Sequence, residues 1–159
     1  MSYLAIDPGI RGTGLALFEY GEMYPVKVSN VCPVQSDPWE NRLHYVCTLV
    51  EEFIMKNRPA DCYIEQPAFM GSTREGIMCA RNGDLVKLCF LAGAIYWVCS
   101  GANCKMFLVT PQQWKWRTKK SDAHIVLRKK LPLLKNRKYT EHELDAIGIG
   151  LYAGALERK

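Results

Sequence analysis

Short apolar runs separated by turn residues predict strands in the first part of the chain. Such runs cover residues 2–6 and 15–20, and a third strand is predicted over residues 23–28. Between the first two, Asp7-Pro8-Gly9 combines a proline that presets φ with a glycine that tolerates positive φ. The short connections predict that these three strands form an antiparallel meander.

Helical spacing begins at residue 39. Apolar side chains there recur every three or four residues: Trp39, Leu43, Val46, Val50 and Phe53. Asp37 is placed to cap this helix, Pro38 suits its first position, and Pro59 ends it. The near-continuous apolar run at residues 62–65 then predicts a buried central strand.

Helices and strands alternate in the remaining sequence. Residues 67–83 are glycine-rich and polar and predict an irregular loop, and residues 84–99 predict a helix that is apolar nearly all round. A strand over 105–109, a short helix opened by Thr110-Pro111, a basic helix capped by Ser121 and a last helix opened by a capping box at 140–143 follow. We predict one α/β domain over residues 1–159, with a five-stranded mixed sheet (antiparallel meander, then parallel strands) flanked by helices.

The composition narrows the class of protein. Of 159 residues, 48% are hydrophobic and 23% charged, as in ordinary soluble domains. Residues 1–4 lack the basic start of a signal peptide, and the longest apolar stretch, residues 85–99, is shorter than the roughly 18 residues that span a bilayer. Seven cysteines without a C-x-x-C pair favour free buried thiols over disulfides or structural zinc. We expect a cytoplasmic protein that does not contact a membrane.

Positive charge is concentrated in one segment. Residues 115–138 hold ten lysines and arginines against one acid, a net charge of +9, and the rest of the chain holds eleven against fifteen, or −4. Trp114 and Trp116 alternate with these cations, which favours contact with a nucleic-acid backbone. Lys115 and Lys119 are the best candidates for holding a phosphate. A solvated helix face, with the tryptophans as core residues, is the alternative.

Three carboxylates and one imidazole lie at the ends of predicted elements. Asp7 and Glu65 each close an apolar strand, and His142 and Asp145 are one helical turn apart. If the fold brings them together, they form a site of oxygen ligands plus one imidazole, suited to hard divalent cations. Taken alone, Asp7 has an alternative role in a turn and His142 in a first helical turn. Glu65 is harder to explain, because a carboxylate that ends a buried strand is costly unless it is paired.

This site next to a basic segment predicts a metal-dependent nuclease. Two cations roughly 3.5–4 Å apart can hold the attacking water and the leaving oxygen of a phosphodiester in line. We expect Asp7 to bridge two Mg²⁺ ions, with Glu65 and Asp145 each completing one. His142 would bind a metal or orient the water.

The motifs resemble the RuvC-type Holliday junction resolvases of the RNase H-like superfamily. The matching segments are residues 6–9 with Thr13-Gly14, 64–66, 111–121 and 142–150, in the family's order and at similar spacing. The resemblance implies an RNase H-like fold and a homodimer that nicks four-way DNA junctions symmetrically, leaving 5′-phosphate and 3′-hydroxyl ends. It also implies two Mg²⁺ ions per site, replaceable by Mn²⁺, without a small-molecule cofactor. The composition suits a divergent phage-like member acting in the cytoplasm of a bacterial or phage-infected cell.

The resemblance also implies roles for individual residues. By that match Asp7, Glu65, His142 and Asp145 are metal ligands, and Lys119 supports catalysis. The expected DNA contacts are Phe69, Arg74, Lys115, Arg117, Lys119, Lys120 and Arg128. Phe69 departs from the pattern, because the family's junction-wedging aromatic usually comes one residue sooner. The loop over residues 71–83 has no match in that pattern.

Other functions remain open at this point. One is a nuclease of the same superfamily that acts on RNA or on other branched DNA, and another is a junction-binding module without activity. A third follows from the D-x-G-x-x-x-T-G pattern that starts at Asp7, which resembles the phosphate loop of actin-like and sugar-kinase ATPases; those pair two such domains, which 159 residues cannot hold. The helix over 84–99 is more apolar than one sheet face requires, so we expect part of it to form the dimer interface.

Overall fold

Five strands form one mixed sheet in the computed structural model, which describes residues 1–68, 74–115, 125, 127, 129 and 137–156. The strands are β1 Ser2–Asp7, β2 Thr13–Glu19, β3 Lys27–Val31, β4 Asp61–Glu65 and β5 Lys105–Val109. Their order across the sheet is β3-β2-β1-β4-β5. β1 pairs antiparallel with β2, and β2 with β3, whereas β1–β4 and β4–β5 are parallel. The predicted α/β class, with a meander followed by parallel strands, is confirmed.

The helices cover both faces of this sheet. They are α1 Trp39–Asn57, α2 Arg74–Arg81, α3 Asp84–Gly101, α4 Pro111–Trp114 and α5 Glu141–Leu156. Because successive strand residues point to opposite faces, Leu4 and Ile6 of β1 join a core with α1 and α3. Tyr3 and Ala5 join a second core with α5. The sheet is therefore the central layer between two helical layers.

The third strand lies later in the chain than predicted. β3 begins at Lys27, whereas the apolar pattern placed the strand over residues 23–28. Gly21 adopts a φ of 90° in the turn after β2, and the chain rejoins the sheet where the Val26 N–H donates to the Leu17 carbonyl at 2.8 Å. Pro25 has no N–H to contribute to a ladder. The turn therefore uses residues that hydrophobicity assigned to the strand.

Two helix predictions also need correction. Pro38, not Asp37, is the N-cap of α1, and no side-chain hydrogen bond caps that end within the described residues. The segment predicted to be irregular over 67–83 contains α2, which packs against α3. That tertiary contact stabilises a helix that glycine-rich local sequence did not indicate. The predicted helix capped by Ser121 lies largely outside the described residues.

The apolar helix α3 is longer than the sequence pattern indicated. It extends to Gly101, and within the described chain it is the helix long and apolar enough to cross a membrane, by length and composition only. Core helices of soluble proteins satisfy the same measure, and α3 buries Leu91, Ala92, Ile95 and Cys99 in the core that it shares with α1 and the sheet. All seven cysteines are free thiols, as predicted, but the expectation that they are buried is wrong for four of them, since only Cys62, Cys99 and Cys104 are buried.

Candidate active site

Asp7 and Glu65 are the last residues of two neighbouring strands. β1 and β4 are parallel and Ile6 pairs with Ile64, so both carboxylates emerge at the same edge of the sheet. Asp145 reaches this point from the first turns of α5, which crosses β1 and β2. One ligand atom from each of the three carboxylates lies within 4.8 Å of the other two. Residues distant in sequence therefore form one acidic cluster.

His142 lies beside this cluster rather than within it. Its Nδ1 is 2.7 Å from Oδ2 of Asp7, and about a third of its side chain is exposed. The three-carboxylate group of ligand atoms does not include the imidazole. The structure therefore places His142 at the rim, in contact with Asp7, where it faces solvent more than the carboxylates do.

Glycines in the turn after β1 and at the start of β2 make room for His142. A Cβ on Gly9 would lie 2.5 Å from His142 Cε1, and one on Gly14 would lie 1.9 Å from the His142 carbonyl oxygen. Gly9 tolerates positive φ but does not adopt it, since among the described glycines only Gly21 and Gly83 have positive φ. A Cβ on Gly9 would also lie 2.3 Å from the Gly12 carbonyl oxygen, so the turn itself and the close approach of α5 both require glycine here. The G-x-x-G-x-G spacing was the available sequence signal.

Lys115 and Trp114 both contact the acidic cluster through Glu65. Lys115 Nζ lies 3.3 Å from Oε1 of Glu65 and 3.9 Å from Oδ2 of Asp145. The indole Nε1 of Trp114 donates to the same Glu65 oxygen at 3.2 Å. Trp114 is buried, so it is a core residue as well as a hydrogen-bond partner of the site. The sequence left open whether Trp114 contacts nucleic acid or belongs to the core, and its bond to Glu65 was not predicted.

The electrostatics of Glu65 favour added positive charge in the cluster. Burial raises the pKa of the Glu65 carboxyl to about 8, and a hydrogen bond with Asp7 and the charges of Asp7 and Asp145 act in the same direction, while Lys115 opposes them. Near neutral pH one carboxyl of the cluster therefore retains a proton. A divalent cation can replace that proton and relieve the repulsion, and carboxylate oxygens are its preferred ligands. The residues present fit a Mg²⁺ or Mn²⁺ site.

The cluster lines an open cavity of about 190 Å³. Pro8, Gln66, Leu88 and Pro111 form much of its remaining wall. Arg74, predicted to contact DNA, is exposed at the start of α2 and is not part of this wall. The predicted contacts Phe69, Arg117, Lys119, Lys120 and Arg128 lie outside the described residues.

Comparison with known proteins places this geometry in a family. The model of the family described as crossover junction endodeoxyribonuclease RuvC matches residues 3–115. No curated protein sequence gives a significant match.

Solved structures share the fold along almost the whole chain. Thermus thermophilus RuvC in complex with a Holliday junction substrate has a TM-score of 0.76 at 23% identity, over 99% of this chain and 96% of that one. A second T. thermophilus RuvC structure has a TM-score of 0.75 at 20% identity, with the same coverage of both chains. The yeast mitochondrial Holliday junction resolvase Ydc2 has a TM-score of 0.60 at 15% identity, over 98% of this chain and 77% of that one. At these identities the likeness establishes the fold, which is RNase H-like as the resemblance implied.

Proposed function

Because this chain belongs to the RuvC family of crossover junction endodeoxyribonucleases, we propose that it resolves four-way DNA junctions by paired, symmetric nicks. Membership makes the chain an endodeoxyribonuclease and a metal-dependent hydrolase. One observation carries the proposal: carboxylates from β1, β4 and α5 converge within 4.8 Å of one another. Such a cluster at the carboxyl ends of parallel strands is where an open α/β sheet binds its ligands.

We assign the metal site to Asp7, Glu65 and Asp145, with His142 at its rim. Asp7 has a ligand atom within 4.8 Å of both other carboxylates and also contacts His142, so it is the residue that we propose two ions would share. Glu65 and Asp145 would each complete one ion. Bound Mg²⁺, or Mn²⁺ in its place, supplies stabilisation of the attacking and leaving oxygens of the phosphodiester. We expect cleavage to leave 5′-phosphate and 3′-hydroxyl ends.

His142 has two possible tasks that the chain's own geometry supports. Its contact with Asp7 favours ligation beside that carboxylate, and its partial exposure favours accepting a proton from the attacking water. Measured Mn²⁺ binding separates the two. Replacement of His142 by Ala weakens Mn²⁺ binding if the imidazole is a ligand, and leaves it unchanged if the imidazole only accepts the proton.

Lys115 is proposed to guide the scissile phosphate to the carboxylates. In the structure it pairs with Glu65 and Asp145, which holds a positive charge at the mouth of the cavity. A phosphate that enters the cavity would share the Lys115 ammonium group with the carboxylates. That one positive charge would then offset part of the negative charge of both. The wider basic segment, with Arg117, Lys119, Lys120 and Arg128, would bind flanking backbone, and Phe69 and Arg74 are assigned to the junction itself.

We also propose that two copies pair through α3, since two symmetric nicks need two sites. The side of α3 that faces away from the core displays large apolar residues: Val86, Phe90, Tyr96 and Trp97. Phe90 is 66% exposed and Trp97 79%, which is unusual for side chains of this size. Gly93 lies between them, and no heavy atom of the described residues is within 4 Å of an added Cβ, so a partner helix has room to approach there. We call the surface formed by Val86, Phe90, Tyr96 and Trp97 the outer α3 face.

The proposal includes a cytoplasmic site of action, in a bacterial or phage-infected cell. The outer α3 face would then contact protein rather than lipid. Flotation of the purified protein with phospholipid vesicles would contradict this part of the proposal.

The decisive test of function is a cleavage panel in Mg²⁺. Four-way junction, fork, duplex and RNA–DNA hybrid are compared for the wild type, Asp145→Asn and Asp37→Asn. Asp37 is an exposed loop aspartate and serves as the matched control. We expect the wild type and the Asp37 variant to cut the junction, and the Asp145 variant to bind it without cutting.

Each alternative has its own outcome in this panel. Equal cutting by Asp145→Asn and wild type would remove the proposed site. Preferred cutting of the hybrid would favour a nuclease that acts on RNA, and preferred cutting of the fork would favour other branched DNA. Junction binding by the wild type without cutting in Mg²⁺ or Mn²⁺ would indicate a binding module.

A further inference from the structure

The first turn of α5 contains a buried carboxylate that the proposed chemistry does not use. Glu143 follows His142 directly and precedes Asp145 by two positions, but it is not part of the acidic cluster or of the cavity wall. Only 4% of its side chain is exposed. A buried carboxylate is costly unless its oxygens are paired, so its partners indicate what it does.

Both oxygens of Glu143 accept hydrogen bonds. Oε2 accepts from the backbone N–H of Thr140 at 2.8 Å and from its hydroxyl at 3.1 Å, while the Glu143 N–H donates to the same hydroxyl oxygen at 3.2 Å. These contacts are the capping box that the sequence predicted. Oε1 accepts from Nη2 of Arg137 at 2.7 Å, which the sequence did not predict.

Arg137 joins this buried carboxylate from the surface. Its side chain is 54% exposed, and its guanidinium carbon lies 4.9 Å from the centroid of the Tyr139 ring. Exposed ion pairs contribute little to stability. Here one partner is buried, so removal of the arginine leaves a carboxylate oxygen without its charged donor, which is more costly.

His142 and Asp145, the proposed metal-site residues of α5, lie before and after Glu143 in the sequence. The backbone of His142 contacts β2, where a Cβ on Gly14 would be 1.9 Å from its carbonyl oxygen, and the imidazole contacts Asp7 at 2.7 Å. The first turn of α5 is therefore held by the sheet through His142 and by Arg137 through Glu143. Movement of this turn would change the distance of both His142 and Asp145 from Asp7.

We propose that Arg137 is a positioning residue for the metal site, acting through Glu143 to hold the first turn of α5 against the sheet. This inference rests on the proposed function, because metal binding is what the positioning serves. It gives Arg137 a different task from the basic residues assigned to phosphate, although it lies in the same positively charged segment. Loss of a positioning residue should weaken metal binding and leave DNA affinity unchanged. Loss of a phosphate contact should weaken DNA binding and leave metal affinity unchanged.

The test measures Mn²⁺ binding to the protein without DNA, by calorimetry or electron paramagnetic resonance. The variants are Arg137→Ala, Arg137→Lys, Glu143→Gln and, as a control, Asn57→Ala. Asn57 donates to the Phe53 carbonyl at 2.6 Å at the end of α1, so its loss perturbs a helix end remote from the site. We expect Arg137→Ala to weaken Mn²⁺ binding by about tenfold, the effect of losing a group that orients metal ligands. The lysine and glutamine variants should lose less, and the control nothing.

Cleavage kinetics provide an independent measure of the same effect. For Arg137→Ala the Mg²⁺ concentration giving half-maximal rate should rise by a similar factor, with the rate restored at saturating Mg²⁺ and junction Kd unchanged. If Arg137→Ala does not fold, as judged by circular dichroism, the lysine and glutamine variants decide the outcome.

Three results would overturn the positioning role. One is wild-type Mn²⁺ affinity in Arg137→Ala with weaker junction binding, which would make Arg137 a phosphate contact. A second is Mn²⁺ affinity that follows melting temperature equally in Arg137→Ala and Asn57→Ala, which would make its role general stability. If the wild type itself bound no Mn²⁺, the metal site of the proposed function would fail too, so the two failures are distinguishable.

Discussion

The helices α5 and α3 pack on opposite faces of the sheet, and they differ in how closely they approach their neighbours. On the α5 side, a Cβ at Gly14 would be 1.9 Å from the His142 carbonyl, and a Cβ at Gly150 would be 2.0 Å from Phe18 Cε2. On α3, an added Cβ at Gly101 meets no described heavy atom within 4 Å. The helix that carries the proposed ligands is therefore packed against the sheet without spare room, whereas α3 keeps one side open.

This difference matches the different tasks proposed for the two helices. Ligands of a metal must be held within about 0.5 Å of their working positions, and a direct contact between backbones leaves no flexible side chain to absorb movement. The outer α3 face has the opposite character, since Phe90 and Trp97 are mostly exposed and gain stability only by burial against another molecule. Close packing thus characterises the helix proposed to hold metal ligands, and exposed apolar area characterises the helix proposed to contact a second copy.

The largest effect is expected from adding one methyl group on the α5 side. Gly14→Ala should displace the first turn of α5, with a loss of more than about 2 kcal/mol of unfolding free energy and of most junction cleavage. Gly101→Ala is the matched change on α3, and it should be neutral or stabilising by less than about 1 kcal/mol. Urea denaturation and cleavage assays measure both. Equal tolerance of the two substitutions would refute the difference in packing.

A charge on the outer α3 face should act on assembly rather than on the fold. If two copies pair through this face as proposed, Trp97→Asp should give a monomer and reduce paired nicking by more than about tenfold, since hot-spot aromatics dominate interfaces. Met55→Asp on α1 is the control, because Met55 is 63% exposed but lies on another helix. Sedimentation velocity and circular dichroism separate loss of assembly from loss of folding. A dimer that survives Trp97→Asp would place the interface elsewhere.

The acidic cluster should make the metal-free protein sensitive to pH. The pKa of Glu65 is about 8 when folded and 4.5 ordinarily, so over this interval the folded state retains a proton that the unfolded state has released. Stability should therefore fall as pH rises from 4.5 to about 8. Mg²⁺ should suppress the decline, because binding it displaces the proton.

Melting temperatures across that pH range, without and with Mg²⁺, provide the measurement. Glu65→Gln should flatten the profile of the metal-free protein, since an amide does not titrate in this range. Glu52→Gln, at an exposed glutamate of α1, should leave the profile as in the wild type. A Glu65→Gln profile as steep as that of the wild type would show that Glu65 does not hold the proton.

The smallest effects concern the basic segment. Junction affinity should fall steeply with salt through counterion release, and Lys120→Ala should reduce the slope of log affinity against log salt by about 1. Lys119→Ala should in addition lower the cleavage rate. Lys56→Ala, an exposed lysine on α1, is the control for loss of a single charge. Affinity that does not respond to salt would exclude this segment as the DNA surface.

Local patterns in the chain were sufficient for four of the five strands, for most of the described helices and for naming the three carboxylates that the fold brings together. A buried strand requires an uninterrupted apolar run, and a carboxylate that ends such a run is costly, so position alone made Glu65 a candidate, whereas Asp7 by itself also suited a turn. The capping box at Thr140 and Glu143 was equally local, because its bonds join residues three positions apart. Periodicity failed at β3 and α2, where a turn and a contact with α3 override what the apolar pattern favours.

Folding contributed the distances. His142 and Asp7 are 135 positions apart and meet at 2.7 Å, and no pattern along the chain encodes that separation. The short distance follows from the pairing of β1 with β4 and from the packing of α5 against Gly14 of β2. The same holds for Arg137 and for Trp114, whose bonds to Glu143 and Glu65 depend on surfaces that exist only once the layers have packed. The sequence alone determines which functional groups the chain carries. The distances between side chains that are far apart in the sequence are set by the register and packing of whole elements.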